Sequence, residues 1–460
     1  MSKTRKERDS MGEIEIPVSA LWGASTQRAV ENFQVSGRPV DFSICRHLAL
    51  IKGCAARVNA EVGDLSEERR DLIVRASEEA FEGELDEHFV VDVFQTGSGT
   101  STNMNVNEVI ANRCSQLAGE PLGSKEPVHP NDHVNQSQSS NDTFPSAVHL
   151  AVAVAFSDAL IPALVNLGRA LNGKAKAFES VFKIGRTHLM DATPVRLGQE
   201  FAGYARQIEL GVERAFSARK AIEELPLGGT AVGTGLNCPP AFAEKVISLL
   251  AGRIGIPFRE ASDHFEAQAA RDGLVEASGQ LKTIATSLFK ISNDLRWLSS
   301  GPRCGFSEIR LPATQPGSSI MPGKVNPVMA ESMMQVCAQV IGNDSAVTWG
   351  GANGNFELNT MMPLIGRNVM ESVQLLARAS DGLRTKCVEG IEADEEQCEA
   401  TLSKSLSLVT ALAPIVGYDT ASALAKQAYA EGKTIREVCS EKGVLSEEEL
   451  DRALDPESMT

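Results

Sequence analysis

Residues 274–298 read LVEASGQLKTIATSLFKISNDLRWL, and their apolar side chains repeat every seven residues. Leucine occupies positions 274, 281, 288 and 295, and a second set, Ala277, Ile284, Ile291 and Leu298, repeats in the interleaved position. Two interleaved seven-residue repeats are typical of helices that pack side by side in a coiled-coil-like bundle. The stretch therefore predicts one long helix, which by its pattern extends over residues 264–300.

Four further stretches have a long helical pattern, at residues 147–172, 199–224, 328–349 and 360–384. A central helix of about 37 residues would be about 55 Å long at 1.5 Å per residue, well beyond the usual globular length. Five helices from one chain can hardly cover every apolar stripe along that length. We therefore expect an oligomer whose helices pack across subunits.

The composition favours the same fold class and excludes several functions. Of 460 residues, 42% are apolar and only 5% aromatic, which favours packed helices over aromatic-rich sandwiches. The net charge of −16 gives no general attraction to nucleic-acid phosphates or anionic lipid. Nine scattered cysteines without a Cys-x-x-Cys pair indicate reduced thiols. We expect a cytoplasmic protein with no targeting or membrane-spanning segment.

Changes of pattern along the chain predict three parts. Residues 1–138 are expected to form an N-terminal mixed domain, with strand-like alternation mainly near residues 11–17. Residues 139–391 contain the long helices and form the central helical bundle. From residue 392 the chain has shorter helical pieces broken at Gly417, Gly432 and Gly443, which predicts a small C-terminal helical domain over residues 392–460.

Four polar loops, at residues 96–103, 129–142, 185–193 and 317–326, are each expected to run directly into a helix. We expect the first helix near residues 105–113 with Asn105 as its cap, and Pro145, Pro194 and Pro327 near the starts of the others. Helix N-termini have unpaired N–H groups and a partial positive charge, so they suit a small anion. The alternative is that all four are ordinary capped turns.

The charges near these loops agree with an anion site. The third loop has Lys183 and Arg186 on its N-terminal side, and the fourth contains Lys324 without an acid. The fourth loop fails as a nucleotide-binding P-loop because Val325 stands where Ser or Thr is required. A metal site at His129, Asp132 and His133 is disfavoured, because the intervening proline and non-helical backbone favour capping.

The sequence GSSIMPGKVNP at residues 317–327 resembles the signature loop of the fumarase/aspartase superfamily. The resemblance extends through the other three loops and LGGTAVGTG at residues 227–235, and it covers nearly the whole chain from about residue 11. Aspartate ammonia-lyases typically have Gln at the position of His188 and Thr at that of Ser140. Both residues match class II fumarate hydratases; the alternatives are an ammonia-lyase and a catalytically silent scaffold with the same fold.

The resemblance implies a mainly α, three-domain fold and a homotetramer whose active sites are each assembled from three subunits. It implies reversible hydration of fumarate to L-malate, a hydro-lyase reaction of the tricarboxylic acid cycle, without metal or organic cofactor. Ser318 is implied to be the base that removes the C3 proton. His188 would act on the water or hydroxyl leaving group, with Glu331 orienting its imidazole.

The same resemblance assigns two sets of binding residues. The substrate-binding set is Ser98, Gly99, Thr100, Ser139, Ser140, Asn141, Thr187, Ser319, Lys324, Val325 and Asn326. A second carboxylate site is implied at His129, Pro130, Asn131 and Asp132. Basic residues usually precede that second site, whereas this chain has Lys125 followed by Glu126.

Overall fold

Helices dominate the computed structural model, which describes residues 3–460. They are α1 (Ala24–Asn32), α2 (Phe42–Glu61), α3 (Glu67–Phe81), α4 (Thr100–Ala118), α5 (Ser140–Ala155), α6 (Ile161–Ala177), α7 (Leu197–Ala221), α8 (Phe242–Ile254), α9 (His264–Ala269), α10 (Asp272–Leu298), α11 (Val328–Gly351), α12 (Met362–Lys386), α13 (Glu395–Leu402), α14 (Val409–Val416), α15 (Tyr418–Glu431), α16 (Ile435–Lys442) and α17 (Glu447–Ala453). The predicted fold class is confirmed.

Within residues 3–460 the strands form five separate two-stranded sheets. The pairs are β1 (Thr4–Asp9) with β2 (Gly12–Pro17), β3 (Phe182–Thr187) with β4 (Met190–Arg196), β5 (Glu224–Leu225) with β6 (Arg259–Glu260), β7 (Ile309–Arg310) with β10 (Glu392–Ala393), and β8 (Gly354–Asn355) with β9 (Leu358–Asn359). Only β5 and β6 pair in parallel among these described strands. Strand content thus extends beyond the predicted alternation near residues 11–17.

The seven-residue repeat correctly predicts the buried face of α10. The eight residues of the two interleaved repeats are all buried, and none of them is more than 6% exposed. The predicted helix over residues 264–300 is nevertheless wrong in extent, because Ala270 has an extended backbone (φ −95°, ψ 158°) that ends α9. The Arg271 Nε donates to the Ala270 carbonyl oxygen there. The 27 residues of α10 span only about 40 Å.

The other predicted helices are confirmed with shifted ends. The helix expected over residues 147–172 begins at Ser140 and continues through the π-helical segment Phe156–Leu160 into α6. Pro145 consequently lies inside α5 rather than opening it. Asn105 is not a cap, because α4 begins at Thr100. The third polar loop does not run into a helix; it forms the β3–β4 hairpin.

The chain divides into two compact units, each assembled from several segments. The first unit comprises Met1–Pro162, Glu213–Ala285 and Ala338–Ala377, and the second comprises Ala163–Val212, Thr286–Cys337 and Arg378–Thr460. Both units are discontinuous because the chain passes from one unit to the other within its long helices. The sequence boundaries at residues 138/139 and 391/392 stay a prediction.

In the first unit, a buried carboxylate from α4 caps α1. Glu108 accepts hydrogen bonds from the backbone N–H groups of Gly23, Ser25 and Thr26 at 2.9–3.0 Å and from the Thr26 hydroxyl at 2.6 Å. Negative charge at a helix N-terminus satisfies unpaired donors and complements the helix dipole. A distant residue therefore replaces the local cap that the start of α1 lacks.

In the second unit, the short C-terminal helices build their own small core. The buried side chains include Leu402, Leu412, Leu424, Ile435, Val438 and Leu450, and Ile184 of β3 packs among them. Gly432 and Gly443 take left-handed backbone conformations (φ 64° and 60°) that end α15 and α16, which confirms these two predicted breaks. The β3–β4 hairpin is thereby anchored to the C-terminal helices.

One helical stretch, Ser140–Ala177, is long and apolar enough to cross a membrane by length and composition alone. The rest of the structure buries 61% of its most apolar window. An apolar helix packed inside a protein core passes the same test of length and composition. Burial therefore accounts for the apolar composition of this stretch.

Candidate active site

The first two polar loops bring two helix N-termini together in the first unit. The first residue of α4, Thr100, has its Oγ1 atom 2.7 Å from Ser98 Oγ and 2.7 Å from Ser140 Oγ, the first residue of α5. Three hydroxyl groups thus form a row, hereafter the hydroxyl row, where two helix dipoles present their positive ends. This arrangement can donate hydrogen bonds to a carboxylate without using a charged side chain.

Two glycines allow the chain to approach this closely. Gly99 has a left-handed backbone (φ 73°), and a Cβ atom on it would lie 2.3 Å from the Phe144 ring. A Cβ atom on Gly97 would lie 1.8 Å from the Thr360 carbonyl oxygen. Larger residues at either position would push the hydroxyl row out of place.

The start of α5 is held from both sides. Ser139 and Asp142 form a capping box, in which the Ser139 hydroxyl caps the helix and Asp142 accepts from the Ser139 N–H. The buried Asp142 also accepts from the N–H groups of Gly228 and Thr230, which fixes the glycine-rich stretch at residues 227–235. Asn141 donates to the Ala231 carbonyl oxygen at 2.8 Å. These hydrogen bonds therefore fix the position of the predicted binding residues at the start of α5.

The predicted second carboxylate site lies at a short π-helical segment, Pro130–Val134. His129 Nδ1 accepts from the backbone N–H groups of Asn131 and Asp132, both at 3.2 Å, so it caps this segment. Burial lowers the pKa of His129, which favours its neutral form. His129, Pro130 and Asn131 line a cavity of about 520 Å³ together with Lys125. Asp132 is exposed.

The predicted catalytic His188 lies at the tip of the β3–β4 hairpin in the second unit, next to Thr187, the last residue of β3. His188 and Leu189 both have left-handed backbones (φ 57° and 61°), as the two central residues of a type I′ hairpin turn require. Neither residue is glycine or asparagine, so each costs about 1–3 kcal/mol of backbone strain. The turn holds the histidine side chain out into solvent, a position typical of a functional residue.

A buried charge network supports this hairpin. Arg186 forms a two-pronged ion pair with Glu308 at 2.8 and 3.0 Å, and its guanidinium lies 4.1 Å from the centre of the Phe306 ring. Lys183, 1% exposed, lies 3.2 Å from Glu308 and 2.9 Å from Glu200. The expectation that Lys183 and Arg186 attract an anion is therefore wrong, because both are already paired with carboxylates. Sequence reasoning missed Glu308.

The fourth loop closes on itself around Ser318. The Gly317 N–H donates to the Lys324 carbonyl oxygen at 2.7 Å, and the Asn326 side chain donates to the Gly317 carbonyl oxygen at 2.6 Å. Ser318 Oγ accepts from the N–H groups of Ile320 and Met321 at 3.2 and 3.0 Å. Two backbone donors aimed at one serine oxygen stabilise negative charge on it, which is the requirement for a serine alkoxide.

The remaining predicted residues of the second unit are free to bind. Ser319, Lys324 and Val325 are exposed, and Glu331 is half-buried in the first turn of α11. Across residues 3–460, the side chains of His188, Lys324 and Glu331 make no hydrogen bond or ion pair. The expected pairing of His188 with Glu331 is therefore not made within one chain.

Among residues 3–460, no three His, Cys, Asp or Glu side chains lie close enough together to hold a metal ion.

Comparison with known protein families gives the class of the protein, a lyase. The family described as Lyase matches residues 12–342, and the one described as Fumarase C C-terminus matches residues 408–460. The solved class II fumarase from Schistosoma mansoni has a TM-score of 0.95 and 40% identity, and the match covers 99% of this chain and 98% of that one.

Relatives that match nearly the whole chain identify the kind of lyase. A protein of Mycobacterium tuberculosis named fumarate hydratase class II is 54% identical over 456 residues, covering 98% of this chain and 95% of that protein. One of the same name from Neisseria meningitidis is 50% identical over 456 residues, covering 99% of each. The chain belongs to the class II fumarate hydratase family.

The charge network under the hairpin generates one prediction. Glu308→Gln leaves the buried Lys183 and the half-buried Arg186 with one carboxylate fewer, so we expect a loss of about 3–5 kcal/mol in the free energy of unfolding. Urea denaturation at fixed protein concentration measures it. The control Glu392→Gln removes an exposed carboxylate near Arg310 and should change stability by less than about 1 kcal/mol. Equal losses in both variants would contradict the assigned role of Glu308.

Proposed function

We propose that this chain catalyses the reversible hydration of fumarate to L-malate, the reaction of the tricarboxylic acid cycle. The observation that carries the proposal is the Ser318 oxygen with its two backbone donors, in a loop that also contains Lys324. Proton removal next to a carboxylate needs such a stabilised base. An aspartate ammonia-lyase is not favoured, since the relatives reported above are named fumarate hydratases.

The hydroxyl row binds one carboxylate of the substrate. Each helix N-terminus contributes the equivalent of about half a positive charge, and the hydroxyls of Thr100 and Ser140 donate hydrogen bonds to the carboxylate oxygens. Ser98, Gly99, Ser139 and Asn141 shape this pocket from the two loops. Neutral donors suit a substrate that must leave again, because they hold the dianion without forming a permanent ion pair.

Ser318 removes the C3 proton of malate in the dehydration direction. Its alkoxide takes the proton, and the electron pair left on carbon spreads into the neighbouring carboxylate as a doubly charged aci-carboxylate. Preorganised donors contribute about 3–4 kcal/mol each to stabilising such charge. Lys324, Asn326, Thr187 and the N–H groups of the serine loop, with Ser319 and Val325 flanking them, supply these donors.

His188 acts at the other carbon. Its imidazolium donates a proton to the departing C2 hydroxyl as the C–O bond breaks, which releases water and completes the double bond. Glu331 orients the ring, as a carboxylate does in other acid–base pairs. Since no such contact forms within one chain, Glu331 comes from a neighbouring subunit.

The protein works as a homotetramer with active sites shared between subunits. Several large apolar side chains on the long helices are exposed in the single chain: Phe216, Phe289, Trp297, Ile341 and Trp349. Packing α7, α10 and α11 against the same helices of other copies covers these surfaces.

We place the enzyme in the cytoplasm. It uses neither metal nor organic cofactor, and His129, Asn131 and Asp132 form a second carboxylate site.

The reaction itself is tested by following the ultraviolet absorbance of fumarate with purified, chelator-treated protein. We expect loss of fumarate, and its formation from L-malate, at rates that the chelator leaves unchanged. L-aspartate should release no fumarate. Turnover of aspartate alone would replace the hydratase with an ammonia-lyase, and inactivation by the chelator would overturn the metal-independent mechanism.

Ser318→Ala removes the base and leaves the two donors in place. We expect kcat to fall at least 1,000-fold, because no neighbouring hydroxyl occupies the same position between the donors. Light scattering after gel filtration should show an unchanged oligomer. The control Thr314→Ala removes an exposed hydroxyl just before the loop and should retain wild-type kcat. Comparable activity of Ser318→Ala and wild type would exclude Ser318 as the base.

His188→Asn separates chemistry from backbone strain. Asparagine tolerates the left-handed backbone better than histidine does, so the variant should unfold at the wild-type temperature or above it. Loss of the acid–base group should lower kcat by 100- to 10,000-fold. Steady-state kinetics and thermal unfolding measure the two effects. A kcat within tenfold of wild type would remove His188 from the proposed mechanism.

A further inference from the structure

Lys52 of α2 is a fully buried lysine in the first unit that no step of the proposed reaction uses. Its side chain is 0% exposed, and its Nζ donates to Asn103 Oδ1 at 2.7 Å and to Asn135 Oδ1 at 2.9 Å. Lysine is almost never fully buried without a partner, because the desolvation of an ammonium group is costly. Its placement here therefore calls for a function.

The first acceptor, Asn103, joins the two helices that carry the hydroxyl row. Asn103 lies in the first turn of α4, three residues after Thr100. Its Oδ1 lies 3.3 Å from Thr143 Oγ1, whose single proton is shared between Asn103 and the Ser139 carbonyl oxygen at 2.8 Å. Thr143 lies in the first turn of α5, three residues after Ser140. The Lys52 ammonium is thus bound to the bridge between α4 and α5, about one helical turn below the hydroxyl contact.

The second acceptor, Asn135, holds the loop that leads into α5. Its Oδ1 accepts from Lys52 and also from the amides of Asn103 and Asn107, at 3.0 and 3.1 Å. Its own amide donates to the Gln138 carbonyl oxygen at 3.1 Å, immediately before the Ser139 cap. Three donors on one oxygen give this loop a single arrangement.

The charge of Lys52 adds to this geometry. Burial lowers the pKa of Lys52 to about 7, and the buried Asp142 acts in the opposite direction. No other charged group in the described part of the chain shifts it. A dianion bound at the helix ends favours the charged ammonium, since both lie at the same pair of helix starts.

We propose that Lys52 is a positioning residue for dicarboxylate binding: through Asn103 and Asn135, it sets the spacing between the starts of α4 and α5, and so between Thr100 and Ser140. This inference rests on the proposed function, in that the hydroxyl row is taken to bind the substrate carboxylate. Lys52 acts on the substrate only through these helix ends.

The test uses the assembled full-length protein and succinate, a four-carbon dicarboxylate that cannot react. Lys52→Met keeps the length of the side chain and removes the ammonium group. By isothermal titration calorimetry, we expect the Kd for succinate to rise at least tenfold. With fumarate, KM should rise by a similar factor while kcat stays within threefold of wild type. An unchanged Kd would overturn the proposal.

A matched pair of asparagines on α4 separates positioning from general stability. Asn103→Ala cuts the bridge to α5, whereas Asn105→Ala removes a buried amide that, within residues 3–460, bonds only to Val90 and His88. Only Asn103→Ala should weaken succinate binding, although both should lower the melting temperature. Equal weakening by both variants would show a merely structural effect and overturn the proposal. If the Lys52→Met protein does not assemble, this pair of asparagine variants tests the proposal in its place.

A double-mutant cycle tests the route of the effect. If Lys52 acts through the hydroxyl row, Lys52→Met should change the Kd for succinate by less than threefold in a Thr100→Val background. If the Kd of the double variant instead rises by the product of the two single-variant factors, that route is overturned. Succinate binding is measured without turnover, so wild-type protein that binds succinate but does not hydrate fumarate would refute the proposed function separately.

Discussion

The meeting of two helix N-termini at the contact between Thr100 and Ser140 constrains the whole first unit. Aligned helix dipoles repel at their positive ends, and each end has N–H groups that lack helical partners. The structure compensates with a capping box at Ser139 and with the buried Asp142 carboxylate. Gly97 and Gly99 then permit the close approach. In the proposed function, a small dianion supplies further negative charge at this junction.

Buried charged side chains in both units join elements that are distant in sequence. Lys52 donates to Asn103 at the start of α4 and to Asn135 in the loop that leads into α5. Glu308 pairs with Lys183 and Arg186 beneath a hairpin whose tip is strained. Apolar residues of similar size would often stabilise a fold equally well. A charged pair differs because only one geometry satisfies its hydrogen bonds. We therefore interpret these buried charges as fixing the positions of the helix starts and the hairpin. Chemistry on a small, nearly symmetrical substrate requires such fixed positions.

Features that depend on local pattern were predictable from the sequence. The repeat from Leu274 to Leu298 predicted a buried seam. The first two polar loops predicted that helices follow them, but α4 and α5 begin earlier than expected, at Thr100 and Ser140. Features that depend on contacts distant in sequence were not predictable. The Glu308 network is the example, because it joins residues more than 100 positions apart. Ser318 was predicted by resemblance, whereas its two backbone donors required the folded loop.

The site residues of the second unit explain why assembly and activity should be linked. His188 is held at a strained hairpin tip, while Lys324 and Glu331 make no side-chain hydrogen bond or ion pair across residues 3–460. Backbone strain at His188 costs free energy in an isolated chain, where the half-buried Glu331 carboxylate also lacks a partner. In the proposed assembly, a neighbouring subunit and a dianion provide partners that offset this cost. We therefore expect an enzyme of the proposed design to gain binding energy from groups that folding alone leaves unsatisfied, and to do so only in the proposed oligomer.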